Sequence, residues 1–112
     1  MSTTPPSAHR TLTIERATDE YGTPVLICRG RMTLETAEQF RIEVKNLAAE
    51  HKQVDADFAG VDSVDSAGLG SVLGTYISAK NAGCELTLIK VHPRVKDLLN
   101  MTHLTQVLRV EG

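Results

Sequence analysis

Aromatic residues are scarce in this chain: they make up 4% of its 112 residues, and tryptophan is absent. Because hydrophobic residues still account for 41%, the core must be built mainly from aliphatic side chains. A chain of this length buries about two thirds of its unfolded surface, which is enough for one independent core. We therefore expect a single domain over residues 11–112, preceded by a flexible tail over residues 1–10.

Other absences exclude whole classes of protein. No apolar run approaches the roughly 18–20 residues that span a bilayer, and residues 1–10 lack the apolar core of a signal peptide. We therefore expect a cytoplasmic protein that does not use a membrane. The 12 basic and 14 acidic residues nearly balance and form no basic run, which argues against a nucleic-acid partner. Both cysteines, Cys28 and Cys84, fall within predicted strands, so we expect buried, reduced thiols.

Residues that would indicate catalysis or a bound cofactor are also missing. The sequence has neither a G-x-x-x-x-G-K-[ST] nucleotide loop nor the G-x-S-x-G elbow of hydrolases. Nothing ties His92 or His103 to a serine, and no group of histidine, cysteine and acidic residues shows metal-ligand spacing. We expect no enzyme, no cofactor and no metal; a small nucleotide-binding or hydrolytic enzyme is the alternative from another class.

Hydrophobic periodicity predicts strands that alternate with helices after an opening hairpin. The predicted strands cover residues 12–15, 23–29, 54–58, 84–89 and 107–110. The predicted helices cover residues 34–49, a segment that opens near Ser66 and is stopped by Asn81-Ala82-Gly83, and a segment opened by His92-Pro93. Gly30 is expected to end the second strand, and Thr33 is a good N-cap for the first helix. This β-β-α-β-α-β-α(-β) order predicts an α/β fold with a largely parallel sheet and right-handed crossovers.

The apolar pattern also predicts which side chains face the core. In the third strand, Asp55 and Asp57 alternate with apolar residues, which indicates that one face of the sheet is open. The inward positions expected in the three helices are Ala37, Phe40, Val44, Leu47 and Ala48, then Leu69, Val72, Leu73, Tyr76, Ile77 and Lys80, then Val95, Leu98 and Leu99.

The segment VDSVDSAGLGSVLG, residues 61–74, carries most of the functional information. It places Ser66 at the start of a predicted helix, directly after Asp65. Aspartate and serine are both good N-caps because they accept hydrogen bonds from the unpaired N–H groups of a first turn. A capping role and a modified serine are compatible, since a capping serine is exposed. We therefore interpret Ser66 as a phosphorylatable switch on a small partner-binding domain.

Three glycines follow at Gly68, Gly70 and Gly74, although each interior glycine costs a helix roughly 1 kcal/mol relative to alanine. Small residues let another backbone approach closely. Packing of the helix on its own sheet is the competing explanation for Gly70 and the favoured one for Gly74. A dinucleotide site is not expected, because Asp62 and Asp65 would repel a pyrophosphate.

Several segments resemble the bacterial anti-sigma factor antagonists of the STAS domain family. Residues 65–70, DSAGLG, resemble the family's D-S-[STA]-G-[LI]-[GR] segment. Residues 91–99, VHPRVKDLL, and 101–104, MTHL, look like its third helix and the stretch after it. Residues 30–32, GRM, fit its strand-to-helix corner. The resemblance runs from about Leu12 to Val110 and implies a STAS-like mixed sheet of four to five strands with flanking helices.

The resemblance also implies a function and a set of partners. In this family the serine after the aspartate is phosphorylated by an anti-sigma factor with a GHKL-type serine kinase fold. The unphosphorylated form binds that factor and so frees a sigma factor for transcription, and a PP2C-type phosphatase restores it. Carried over by position, the phosphorylated residue is Ser66, with Asp65 and Gly68 beside it in the contact surface.

The docking surface expected from this resemblance joins the start of the second helix to residues 30–33. Gly30 and Thr33 lie within it, and Met32 and Leu69 are candidates for its apolar centre, with a core position equally open for Leu69. Thr33 stands where many members have an aspartate. The alternative function is a STAS scaffold or transporter-associated subunit in which Ser66 is never modified.

Overall fold

The computed structural model describes residues 11–111, so the predicted tail over residues 1–10 lies outside the described residues. The elements, in chain order, are β1 (Leu12–Thr18), β2 (Pro24–Met32), α1 (Leu34–Ala48), β3 (Gln53–Val64), α2 (Ser66–Asn81), β4 (Glu85–Ile89), α3 (Pro93–Met101), a short 3-10 helix (Leu104–Gln106) and β5 (Arg109–Glu111). This is the predicted order of strands and helices.

The five strands form one mixed sheet in the order β1-β2-β3-β4-β5. Strand β1 runs antiparallel to β2, and the pairs β2–β3, β3–β4 and β4–β5 are parallel. The predicted mixed, mostly parallel sheet is therefore confirmed. The carboxyl ends of β2 and β3 lie at the same edge of the sheet, and α1 and α2 begin directly after them.

Helix α1 forms as its sequence predicts. Thr33 caps it, and the expected apolar stripe is buried. Phe40 of α1 meets Phe58 of β3 edge to face, with ring centroids 5.6 Å apart. Such a pair contributes about 0.5–1.5 kcal/mol beyond the apolar area that it buries. This contact fixes α1 over β3 and so helps to set where the helix begins.

Strand β3 has one apolar and one polar face, as the alternation predicts. Val54 and Phe58 are fully buried on the helix side, whereas Asp55 and Asp57 are half-buried on the other side. Asp55 accepts a hydrogen bond from the amide of Gln53 at 2.7 Å. Asp57 accepts one from a backbone N–H at 2.9 Å. Both aspartate side chains therefore have hydrogen-bond partners, as partly buried carboxylates require.

Three strands end later than predicted, and the first of them, β1, continues to Thr18. Gly30 does not end β2, which continues to Met32, and β3 continues from Phe58 to Val64. The pairing between these strands shifts register on both sides of Gly30. Glycine and aspartate are common in turns. Here, however, the parallel pairing between β2 and β3 extends both strands beyond such residues.

Two further expectations are corrected at smaller scale. The last strand covers Arg109–Glu111 and follows a 3-10 turn, so the predicted strand over residues 107–110 begins too early. In α2, Ile77 is 47% exposed and Lys80 is also exposed, so neither faces the core. The buried positions of this helix are Gly68, Val72, Thr75, Tyr76 and Ala79.

Both cysteines are buried free thiols, as expected. Cys28 lies inside β2, whereas Cys84 lies one residue before β4. Burial, with a smaller contribution from the Asp57 carboxylate, raises the pKa of the Cys28 thiol to about 12. Cys28 therefore stays protonated at neutral pH and acts as a small apolar core residue.

Candidate functional site

The first turns of α1 and α2 lie side by side at one edge of the sheet. The backbone N–H of Asp65 donates to the carbonyl of Met32 at 3.2 Å, which ties the end of β3 to the end of β2. Thr33 and Asp65 are the N-caps of the two helices. We call the half-buried Thr33 and the exposed residues Leu34, Asp65, Ser66 and Ala67, which surround these two helix starts, the helix-start surface.

Gly68 is what allows the two helix starts to approach. A Cβ atom at this position would lie 2.0 Å from the carbonyl oxygen of Met32 and 3.0 Å from the backbone nitrogen of Thr33. Real Cβ atoms do not come so close to backbone, so any other residue would force the two segments apart. Gly68 is buried. Its predicted place in the partner-contact surface is therefore wrong: it contacts the chain's own backbone.

Gly70 and Gly74 have no such neighbour. A Cβ atom at either position would meet nothing within 4 Å, and both residues are exposed. The prediction that Gly74 packs on the sheet is wrong, and the same explanation fails for Gly70. With Ala67 and Ile77 they form an outward stripe of α2 that carries no charge.

The capping role belongs to Asp65 and not to Ser66. The Asp65 carboxylate accepts a hydrogen bond from the Gly68 N–H at 2.6 Å. Ser66 is the first residue of α2 and is exposed. Its hydroxyl forms no hydrogen bond with any of residues 11–111. The fold therefore places a serine hydroxyl in solvent at a helix start without using it for structure.

Met32 does not lie on the surface. Its side chain is 0% exposed and belongs to the central core, so the expectation that it forms the apolar centre of a docking surface is wrong. The cause is the extension of β2 to this residue, which turns the side chain inward. Leu69 is half-buried and packs against the same core, which favours the core position left open for it.

Gly30 and Thr33 both have structural roles at this corner. Gly30 is half-buried with φ +120, and a Cβ atom there would lie 2.1 Å from the carbonyl oxygen of Thr11. Thr33 forms a capping box with Thr36: the Thr33 hydroxyl accepts from the Thr36 N–H at 3.3 Å, and the Thr36 hydroxyl accepts from the Thr33 N–H at 2.8 Å. Threonine therefore caps the helix without a carboxylate.

Leu34 is a surface residue that the sequence analysis missed. It is the first residue of α1 and 66% exposed. The sequence could have indicated this exposure, because Leu34 lies outside the periodic apolar stripe of α1, which starts at Ala37. An exposed leucine at the start of α1, whose first turn lies next to that of α2, is an apolar group that a protein partner can bury, and it takes the place that we had assigned to Met32.

Charges around the helix-start surface are of both signs. Asp62 and Asp65 are exposed on the side of β3 and α2, and Glu35 lies in the first turn of α1. Arg31 is exposed at the end of β2, and its guanidinium donates to the Ser63 hydroxyl at 3.4 Å. A new dianion on Ser66 would therefore lie near two carboxylates at a helix start that favours anions.

The histidines considered in the sequence analysis have other surroundings. His92 caps α3 and its Nδ1 atom accepts from the Arg94 N–H at 3.1 Å. His103 is exposed with φ 60. Over residues 11–111, no three histidine, cysteine or acidic side chains converge as metal ligands. In the same range, each helix is too short or too polar to cross a bilayer.

Comparisons with known proteins agree with this fold. Residues 7–110 match a family model described as Mlab, STAS domain. The fold resembles an anti-sigma factor antagonist from Mycobacterium paratuberculosis, with a TM-score of 0.76 and 16% identity, over 91% of this chain and 86% of that one. It also resembles unphosphorylated SpoIIAA, an anti-sigma factor antagonist, with a TM-score of 0.68 and 18% identity, over 89% of each chain.

Two further structures carry the same fold in different settings. Phosphorylated SpoIIAA, a Bacillus cell fate determinant, gives a TM-score of 0.64 at 17% identity, over 89% of this chain and 92% of that one. The murine anion transporter Slc26a9 gives 0.60 at 16% identity, over 90% of this chain but 20% of that one. At these identities the likenesses concern the fold alone. Because the family model spans nearly the whole sequence, this chain belongs to the STAS domain family.

Proposed function

We propose that this protein is an anti-sigma factor antagonist that binds its partner when Ser66 is unmodified and is released when Ser66 is phosphorylated. The observation that carries the proposal is the exposed hydroxyl of Ser66, which no hydrogen bond within residues 11–111 engages. Asp65 alone supplies the N-cap. A kinase can therefore reach the hydroxyl, and its modification breaks no hydrogen bond within residues 11–111.

The fold likenesses support the proposal at the level of the family. The proteins from Mycobacterium paratuberculosis and Bacillus are anti-sigma factor antagonists, and SpoIIAA has a phosphorylated form. On this proposal the partner is an anti-sigma factor with GHKL-type serine kinase activity, and a PP2C-type phosphatase reverses the modification. The protein then acts in the cytoplasm as a regulator of transcription through protein–protein contacts.

The switch would act on binding and leave the conformation alone. Phosphorylation adds about −1.5 to −2 charges at pH 7. The start of α2 favours an anion by about 0.3–1 kcal/mol per charge, and a carboxylate about 6 Å from a dianion in water opposes it by about 1.4 kcal/mol. These effects nearly cancel within the chain. At an interface, however, an unpaired buried charge costs several kcal/mol, and each 1.4 kcal/mol is tenfold in affinity.

The proposed docking surface is the helix-start surface, with Leu34 as its exposed apolar group. Thr33 and Asp65 would contribute polar contacts around it, since both lie at the helix starts. The uncharged stripe of α2 that begins at Ala67 and continues to Gly70 extends the surface along the helix. This surface is supported by three residues that lie beneath it, namely Gly30, Gly68 and Met32.

The test uses Ser66→Ala and Ser66→Asp as paired baits in lysate from the source organism, with Ser78→Asp as a matched control. Ser78 is exposed near the opposite end of the same helix, so that control adds one charge away from Ser66. We expect the alanine form and the control to retain a GHKL-type kinase that the aspartate form loses. Equal retention by all three variants would contradict the proposal.

A STAS subunit of a membrane transport system is the second candidate function. It is favoured by one observation: a domain of this fold accounts for 20% of the Slc26a9 anion transporter chain. In that case Ser66 would serve as an unmodified surface residue. The same baits separate the two candidates, because a transport component would be retained equally by Ser66→Ala and Ser66→Asp.

A further inference from the structure

A shallow cleft of about 350 Å³ lies beside the helix-start surface. It is lined by Arg31 from the end of β2, Asp62 and Ser63 from the end of β3, and Arg94 from the first turn of α3. Two arginines therefore line one small space together with one serine and one aspartate. The two arginines and the single aspartate give the lining a net charge of plus one.

The two arginines of the cleft differ from the other arginines of the described chain. Within residues 11–111, the side chains of four arginines each pair with a glutamate, namely Arg16, Arg29, Arg41 and Arg109. Arg31 and Arg94 form no ion pair in that range. Arg31 makes one long side-chain hydrogen bond, of 3.4 Å to Ser63. The two arginines without an ion pair in residues 11–111 thus line the same cleft.

This cleft adjoins Ser66. Ser63 precedes Ser66 by three residues, so their Cα atoms lie no more than about 11 Å apart. Arg31 also lines the neighbouring cleft that includes Thr33 and Asp65. Its backbone is fixed, because its carbonyl accepts from the Thr36 hydroxyl at 2.6 Å. A partner that covers the helix-start surface would therefore also cover Arg31.

We infer that the Arg31–Arg94 cleft receives a carboxylate side chain from the protein that docks on the helix-start surface. A guanidinium binds a carboxylate through two parallel hydrogen bonds, and two such groups around one space fix its position. The single net positive charge suits a monoanionic carboxylate better than a phosphate, which carries close to two charges. Charge pairs of this kind speed association and set the register of an interface. The inference rests on the proposed function for its partner.

The first test examines the cleft without the partner. Protein labelled with ¹⁵N is titrated at low ionic strength with an acetylated, amidated tetraglutamate peptide, while the arginine Nε–Hε resonances are recorded. We expect saturable shifts of Arg31 and Arg94 that exceed those of Arg29 and Arg109 at least threefold. Equal shifts at all four, or none, would contradict the inference. A parallel titration with inorganic phosphate that alone saturates the cleft would contradict the choice of a carboxylate.

The second test measures affinity for the kinase captured by the Ser66→Ala bait. Arg31→Ala combined with Arg94→Ala should weaken binding about tenfold or more, a change of about 1.4 kcal/mol. It should also reduce the dependence of affinity on salt. Arg29→Ala combined with Arg109→Ala removes the same charge from exposed residues elsewhere and should change affinity less than twofold.

The proposed function and the carboxylate-binding role of the cleft can be disproved independently. If Ser66→Asp abolishes binding while the cleft variant behaves like its control, the inference is wrong and the proposed function stands. If Ser66 substitutions leave capture unchanged while the peptide selects Arg31 and Arg94, the proposed function is wrong and the cleft still binds carboxylates.

Discussion

At the scale of single residues, the glycines of α2 differ in whether the packing requires them. Gly68 has no room for a side chain, whereas Gly70 has. Gly68→Ala would place a Cβ atom 2.0 Å from the Met32 carbonyl oxygen. We expect it to destabilise the protein by about 1–3 kcal/mol, the usual cost of forcing a packed backbone apart. Gly70→Ala is the matched control, because its Cβ atom would meet open space and a helix interior favours alanine by about 0.5–1 kcal/mol.

Urea unfolding of both variants measures this difference. Loss of stability in Gly68→Ala together with a gain in Gly70→Ala would support the described contact. A Gly68→Ala variant as stable as the unmodified protein would show that α2 does not approach the β2–α1 corner as described.

Cys28 gives a prediction about pH. Its pKa is raised to about 12 from an ordinary value of 9.0, so between these values the unfolded chain loses a proton that the folded chain keeps. The stability that this thiol contributes is therefore complete below pH 9 and falls as the pH rises toward 12. Cys28→Ala should reduce the steepness of the alkaline loss of stability. The measurement is urea unfolding from pH 8 to 11, and an unchanged slope would contradict the shift.

Single residues were also where sequence reasoning failed most often. Met32 was assigned to the surface from its place in the resemblance, at the corner between strand and helix, but β2 continues to Met32 and its side chain is buried. Gly68 and Gly70 cannot be distinguished by periodicity, because only the position of the Met32 carbonyl decides which of them needs to be glycine. Ser66 and Thr33 were placed at their helix starts because cap preferences are local.

At the scale of elements, the start of α2 depends on the Asp65 side chain. Asp65→Ala removes the hydrogen bond to the Gly68 N–H and should lower the free energy of unfolding by about 1 kcal/mol. Asp65→Asn keeps an oxygen acceptor and should cost clearly less. Ser66→Ala should have no effect on stability within about 0.5 kcal/mol. Thermal unfolding of the three variants checks this order. If Ser66→Ala lost as much stability as Asp65→Ala, the serine would have a capping role after all.

The order of elements could be predicted because it follows from local patterns. The stripe of α1 and the alternation of β3 repeat with the periods of a helix and a strand. The ends of β2 and β3 could not be predicted, since they depend on pairing between strands that are distant in sequence. The outward position of Ile77 has the same origin: α2 presents Gly68, Val72 and Ala79 to the core, a face set by the close approach at its first turn.

At the scale of the whole molecule, the account predicts that charge at Ser66 changes binding and leaves the fold intact. Ser66→Asp should weaken partner binding at least tenfold. Its melting temperature should stay within about 2–4 °C of that of the unmodified protein, which corresponds to a change of less than about 0.5 kcal/mol in the free energy of unfolding of a small domain. Differential scanning fluorimetry and titration of the captured partner provide the two values. A large drop in melting temperature would mean that the switch acts through unfolding.

The measurement that tests the central claim most directly is the position of the phosphate. The captured kinase is incubated with the purified protein and Mg-ATP, and the modified residue is located by peptide mass spectrometry, with Ser66→Ala and Ser63→Ala treated in parallel. The account predicts one phosphate on Ser66 in the unmodified protein and in Ser63→Ala, and none in Ser66→Ala. A phosphate on Ser63, or an unmodified Ser66 after full incubation with the kinase, would contradict it.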